Sequence, residues 1–492
     1  MATSTSATGG HAYGYARQVG GAGGTGSGAG HVGGAGGIAT GTTAKASGYS
    51  ARAGAVQVGG AGGYGAGGAN GGSGAATTLN NAVSGTTAGG AASYLKLVQL
   101  ATGGAGGGSS AATGGTGGGA TSNLTFNDVT ANTKHAANVT GTAGAYGGAG
   151  GSGITGGVGG GATATLNLTG ALGVSATSNA VGGAGGIGAA GGNANATTHA
   201  VGTTVVNADA TATGGSGGAS AGSALAAATG QGASGDAKAA SVAGSITTGS
   251  LVTAASANAD ATVAGASTAV TFAEIGNNTV HGPALVSEQA IALITAEPMS
   301  GDVNTILNGN ANIKSAFTTN NTPTYFGIGG LGGAYSTNGS GSETETSSVH
   351  MTVDLTKVSP LHDLLIGFYN GSATGAGFSS MTLDVKVNGT DHITNFANVT
   401  DGNNFFQNHA VDYGALSGTS LQLDISLSIT ESAAGGYDFG MLIGDPPPQH
   451  SVAALGHATA SFTQGSGANV GASAFTQHDN ASPLLATPHA VT

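Results

Sequence analysis

The sequence contains no cysteine and no tryptophan, and it carries few charges: 9 Lys or Arg and 21 Asp or Glu in 492 residues. Without thiols, neither a disulfide framework nor a zinc–thiolate centre can form. Charged residues make up 6% of the chain, about a quarter of ordinary usage. An enzyme needs a dense core under a charged surface, and there is little material here for either, so no enzymatic activity is expected. The net charge of −12 disfavours nucleic acid, whose binding rests on Lys and Arg neutralising phosphates. No run of about 18 strongly apolar residues occurs, so no membrane insertion is expected. The first residues, Met1-Ala2-Thr3-Ser4-Thr5-Ser6, offer no basic segment followed by an apolar stretch. Export would therefore proceed without an N-terminal signal peptide.

Proline is missing from the first half. All nine prolines lie at or after Pro283. What is abundant is glycine, 100 residues in all, of which 73 fall in residues 1–270. Charge shifts at the same place. Residues 1–270 hold six basic residues and four acids, whereas the remainder holds three lysines and 17 acids. Three independent shifts near residue 270 mark a boundary. The expected organisation is an N-terminal segment 1–17, a glycine-rich repeat domain 18–270, a second domain 271–445 and a proline-initiated tail 446–492.

A Gly-Gly-X-Gly-Gly block starts at Gly20, Gly33, Gly59, Gly103, Gly147, Gly182 and Gly214. The spacing varies, so this is a recurring unit with insertions rather than a strict period. Between blocks lie short stretches that alternate apolar and polar, such as Ala164-Thr165-Leu166-Asn167-Leu168-Thr169, the pattern of half-buried strands. Two readings of the glycine remain open. Ordering glycine costs backbone entropy, which favours a flexible linker. Against that, these segments are uncharged and interleaved with Val, Ile, Leu and Tyr, unlike typical disorder. The ordered alternative is a β-solenoid or an array of extended glycine helices, each repeat stacked on the next.

The blocks Gly20-Gly21-Ala22-Gly23-Gly24, Gly59-Gly60-Ala61-Gly62-Gly63 and Gly182-Gly183-Ala184-Gly185-Gly186 resemble the glycine-rich repeats of mycobacterial PGRS-type surface proteins and, more loosely, bacterial adhesin passengers. The resemblance is compositional and covers about residues 18–220. The chain departs from that family in lacking its helical N-terminal domain. The resemblance implies an extracellular or cell-surface role. A likeness to the calcium-binding nonapeptide repeat fails, because Thr25, Ile38 and Tyr64 stand where that repeat needs Asp.

The second half reads as an ordinary domain. Leu421–Ile429 alternates cleanly, and Leu364–Tyr369 and Phe439–Ile443 are short apolar strands. Asn388-Gly389 and Asp401-Gly402 are turn pairs. Val286–Ala296 suits a helix or an apolar strand. The expected fold class is all-β: the solenoid or extended-glycine-helix array, followed by an antiparallel jelly-roll-like β-sandwich.

Chemical motifs are weak. Gly214-Gly215-Ser216-Gly217-Gly218 matches a nucleophile-elbow pattern only because glycine is so dense. The 13 histidines are scattered without metal-ligand spacing. Asp391, Asp401 and Asn403 could form an oxygen-ligand calcium loop, though plain Asn and Asp turns explain them better; no other cofactor is expected. Tyr335 and Tyr437, flanked by Gly and Ser, are the best aromatic platform for a sugar. The leading functional expectation is an extracellular structural protein of matrix or biofilm. It would polymerise head-to-tail with itself, because a stacked sheet ends in unpaired backbone groups. The residues 446–492 would carry a C-terminal export signal. A carbohydrate-binding module with a surface polysaccharide partner is the alternative, and ice binding a lesser one.

Overall fold

Alternation shapes the strands. In Ala162–Thr169 the Ala and Leu side chains are buried while Thr and Asn face outward, the period of two of a strand with one covered face. Ala194–Val201, Val205–Thr213 and Ser420–Glu431 follow the same rule. The structure, a computed structural model, describes residues 2–6, 10–232, 234–242, 244, 257–264, 287–296, 300–318, 323–336, 343–358 and 360–446. Residues Met1–Gln449 form one unit and His450–Thr492 a second. The second unit, and with it nearly all of the expected tail and its export signal, lies outside the described residues.

Two large sheets pack face to face across one continuous core. The ten-strand sheet runs from Thr77–Asn80 through Ala120–Asn127, Ala162–Thr169, Ala194–Val201, Ala224–Gln231 and Ala257–Ala264 to Glu343–Asp354. It continues with Ser420–Glu431, Ser380–Val387 and Thr390–Phe396. The twelve-strand sheet runs from His11–Val19 through Ser50–Val58, Tyr94–Thr102, Asn138–Tyr146, Gly173–Val181 and Val205–Thr213 to Ser234–Val242. It then adds Ser287–Ala296, Thr324–Ser336, Gly435–Asp445, Asp363–Gly375 and His409–Ala415. A three-strand sheet of Ala2–Thr5, Ala44–Gly48 and Val83–Thr87 faces the N-terminal end of the twelve-strand sheet.

Strand direction follows from the route of the chain. Successive strands alternate between sheets: Ala162–Thr169 lies in one, Gly173–Val181 in the other. A glycine segment then carries the chain back. Each strand therefore meets its predecessor in the same sheet running the same way, in register, as Ala162↔Ala194 and Leu166↔Thr198 show. From Ser287–Ala296 onward the twelve-strand sheet pairs antiparallel.

This architecture corrects the expected fold class. Strands make up 55% of the chain and helices 9%, so it is mostly β but not all-β. Among the described residues no solenoid forms. The glycine segments are connections between two sheets rather than a separate extended-glycine-helix array. Nor do the later strands close a jelly-roll-like sandwich of their own. They extend sheets already begun, Ser287–Ala296 on Ser234–Val242 and Glu343–Asp354 on Ala257–Ala264. Each sheet thus joins a long parallel run to an antiparallel one. The physical reason is that an open sheet edge with free backbone groups is the cheapest place for the next strand to pair.

The glycine connections are held chiefly by backbone hydrogen bonds. In the segment after Tyr94–Thr102, Gly103 and Gly106 donate to the carbonyls of Tyr146 and Ala149 at 2.8 Å, and Gly104 and Gly107 donate to those of Ala75 and Gly72 at 2.8 Å. A Cβ on Gly104 would stand 1.9 Å from the Gly60 oxygen, one on Gly148 2.0 Å from that of Gly104, and one on Gly183 2.0 Å from that of Gly148. Ala61, Ala105 and Ala149, the third residues of their Gly-Gly-X triplets, point outward.

The core changes character along the stack. Between the parallel runs it is largely alanine, including Ala53, Ala143, Ala176, Ala208 and Ala226. Each methyl contributes only about 0.8 kcal/mol of burial, so the backbone ladders matter more there. Between the antiparallel runs it is Leu383, Leu427, Phe439, Met441 and Ile443, with Phe368, Phe396 and Phe406 clustered edge to face or tilted. Helices Ser300–Gly309 and Ala311–Thr318 cover the outer face there, Ile313 and Phe317 packing with Ile328, Leu365 and Leu442. Asn388-Gly389 turns between Ser380–Val387 and Thr390–Phe396 with both residues at positive φ, 49° and 87°, as a two-residue hairpin requires.

Gly104→Ala is expected to destabilise the fold by about 1–3 kcal/mol or more, the cost of overpacking. Ala105→Val, at the neighbouring outward position, should leave stability unchanged. Thermal unfolding followed by circular dichroism checks the pair, and equal melting of both variants with wild type contradicts the packing described.

Candidate functional surface

The expected calcium and sugar residues are engaged elsewhere. Asp391, on the strand Thr390–Phe396, pairs with Lys386 Nζ at 3.0 Å. Asp401 lies in the first turn of the helix Val399–Phe406; the Asn398 side chain accepts from its backbone N–H at 3.0 Å and donates to its Oδ2 at 2.8 Å. That N-cap turns the expected Asp401-Gly402 loop into helix. Asn403 Oδ1 accepts from the Tyr437 hydroxyl at 2.9 Å. The three oxygen ligands thus have three separate partners. Among the described residues no group of three His, Cys, Asp or Glu stands close enough to hold a metal ion. Tyr437 itself is buried, 1% exposed, with its ring edge-on to Phe378 at 5.4 Å, so no sugar can stack on it. The Tyr335 backbone pairs with Gly435, two residues from Tyr437; its side chain lies outside the described residues.

The most unusual surface is the N-terminal end of the stack. His11–Val19 is the terminal strand of the twelve-strand sheet and Ala2–Thr5 that of the three-strand sheet. Among the described residues no strand pairs with the outer edge of either. Arg17 is the only Lys, Arg, Asp or Glu on these two strands, so little guards them against pairing. The glycine connection that follows is also open. Gly60 and Gly63 are covered by the carbonyls of Gly21 and Gly24, and the same cover repeats down the stack. Around Gly21 and Gly24 themselves, nothing lies within 4 Å of where a Cβ would be. Glycine persists there although none of the described residues demands it.

The outward face of the same end is aromatic. His11, Tyr13 and Tyr15 alternate outward on the edge strand. The rings of Tyr13 and Tyr15 are nearly parallel at 6.3 Å, and His11 stacks with Tyr94 at 5.6 Å. The period-two spacing His11-X-Tyr13-X-Tyr15 was visible in the sequence. The partner Tyr94 was not, because only the pairing of Ser50–Val58 between the two strands brings it near.

Comparison with the known protein families finds no match, and a search of the curated proteins finds no similar sequence. The site therefore has to be read from its chemistry. His350 with Asp424 and His362 with Asp445, the latter at 3.0 Å, are two-residue pairs on different sheets. Asp438 lies opposite Gly332 and Ser372 in the twelve-strand sheet. Burial pushes its carboxyl up from 3.8 to about 7. The folded chain then keeps a proton that the unfolded chain releases above about pH 4. The contribution of this group to stability falls as pH rises from about 4 to about 7 and is constant beyond. Asp438→Asn is expected to raise Tm over wild type at about pH 8 and to leave it unchanged near pH 4; the same difference at both values contradicts a raised Asp438.

Proposed function

We propose that this chain is an extracellular structural protein that assembles head-to-tail into fibres or matrix. The observation that carries this reading is the pair Gly21 and Gly24. Elsewhere in the stack each equivalent glycine is required because a carbonyl of the preceding pass occupies the place of its Cβ, as for Gly60, Gly104 and Gly148. At Gly21 and Gly24 that place is empty. A second copy seated on this end would supply the missing carbonyls and the missing strand pairs in one step.

Two further features support the reading. The unguarded edge His11–Val19 is a template for strand addition. The opposite end of the stack presents Thr390–Phe396 and His409–Ala415 as terminal strands, with Asp412 exposed. Arg17 and Lys45 are exposed at the N-terminal end, so unlike ends attract. A contact between two different ends does not close on itself and generates a filament.

The full chain is expected to form fibres at micromolar concentration, visible by negative-stain microscopy. In the double variant Gly21→Ala, Gly24→Ala, each added methyl meets open space within one chain, so Tm should be unchanged while fibres are lost. A wild-type protein that stays a monodisperse monomer by light scattering contradicts the proposal, as does a double variant that assembles as well as wild type.

A further inference from the structure

The outer face of the twelve-strand sheet holds a feature that assembly through the edge does not use. Arg52 and Lys96 are direct cross-strand partners. Like charges placed opposite each other in a sheet repel. The effect is felt at Lys96, whose pKa is lowered by burial and by Arg52. Among the described residues the ion pairs involve other groups, and neither cation has a carboxylate in reach. The two positive charges therefore stand together without a counter-ion among the described residues.

Aromatic rings flank them. Tyr13 is the partner of Arg52 on the other side, with the guanidinium carbon 5.3 Å from its ring centroid, a cation–π contact. Tyr13, Arg52 and Lys96 thus make one row across three strands. Tyr15 lies over Gly54, where a Cβ would come within 3.1 Å of the ring. Tyr94 stands on the same face. These rings are open to solvent: Tyr13 is 54% exposed, Tyr15 46% and Tyr94 45%.

We propose that this row binds an anionic polysaccharide of the uronic-acid class. Sugar rings stack their C–H faces on Tyr13, Tyr15 and Tyr94, and carboxylates supply the counter-charge that Arg52 and Lys96 lack. Arginine offers a fork that matches a carboxylate. A nucleic acid is the poorer fit, because its affinity rests on many Lys and Arg neutralising phosphates and this face gathers only a few cations in a chain of net charge −12. The patch lies on a face and not on the pairing edge, so assembly leaves it accessible. The inference stands apart from the fibre reading.

The test is fluorescence anisotropy of fluorescein-labelled oligogalacturonate titrated with the full chain. Binding is expected, weakening as salt is added, with unlabelled dextran failing to compete. Arg52→Gln should weaken it roughly tenfold, the loss of one charge-assisted contact, and Tyr13→Ala comparably. Tyr13→Phe should retain it, as should Lys134→Gln at an exposed cation away from the row. Circular dichroism and fibre formation are followed in the same samples, so a folding or assembly defect is distinguished from lost binding. Absence of binding by wild type overturns the proposal. So does binding unaffected by Arg52→Gln, or tighter binding of single-stranded DNA than of the oligogalacturonate.

Discussion

One contact recurs through the glycine connections: a backbone carbonyl of one pass lies where the Cβ of the next would be, 1.9 Å from that point at Gly104 and 2.0 Å at Gly148 and Gly183. Nothing but glycine tolerates it. The contact explains why glycine is so abundant, and why Ala61, Ala105 and Ala149 sit at outward third positions. Ordering each glycine costs about 1–2 kcal/mol of backbone entropy. Compensation comes from hydrogen bonds in which both glycine amides of a Gly-Gly-X triplet find carbonyls on neighbouring passes, as those of Gly103, Gly104, Gly106 and Gly107 do. The flanking strands can then be alanine-rich, because two sheets tied together by rigid, closely packed connections need little side-chain volume between them.

The same contact leaves the two ends unlike each other. At the C-terminal end the ladders are taken over by long antiparallel strands with bulky cores, two covering helices and most of the acids. At the N-terminal end the ladders stop with edges open and with Gly21 and Gly24 uncovered. Head-to-tail growth is the function this asymmetry suits best. The aromatic and cationic row beside the open end faces sideways, where a growing fibre would meet the material around it.

Much of this was readable from residues alone. Leu421–Ile429 is a strand because every second residue is apolar, and Asn388-Gly389 turns because both residues tolerate positive φ. The Gly-Gly-X blocks announced a recurring backbone-to-backbone arrangement. Sheet membership was not readable. That Ser287–Ala296 should extend a sheet begun at His11–Val19 depends on which edge is free after the preceding strand has paired, a non-local fact. Local patterns also misled where tertiary context took over. Asp401-Gly402 looks like a turn but follows Asn398, whose side chain caps a helix. Tyr437 follows two glycines, yet its ring packs against Phe378 instead of standing exposed. Of the functional surface, the alternation of His11, Tyr13 and Tyr15 was present in the sequence. The like-charged neighbours Arg52 and Lys96 were scattered letters until pairing set them side by side.

The central claim is that the glycine connections are ordered by backbone hydrogen bonds rather than serving as flexible linkers. Native-state amide hydrogen exchange measures this directly. The account predicts that the amides of Gly104, Gly107, Gly148 and Gly151, each bonded to a neighbouring pass at 2.8 Å, exchange as slowly as those of the strands Tyr94–Thr102 and Asn138–Tyr146. Exchange of these glycines at the rate of an unstructured chain, with the strands still protected, would contradict it.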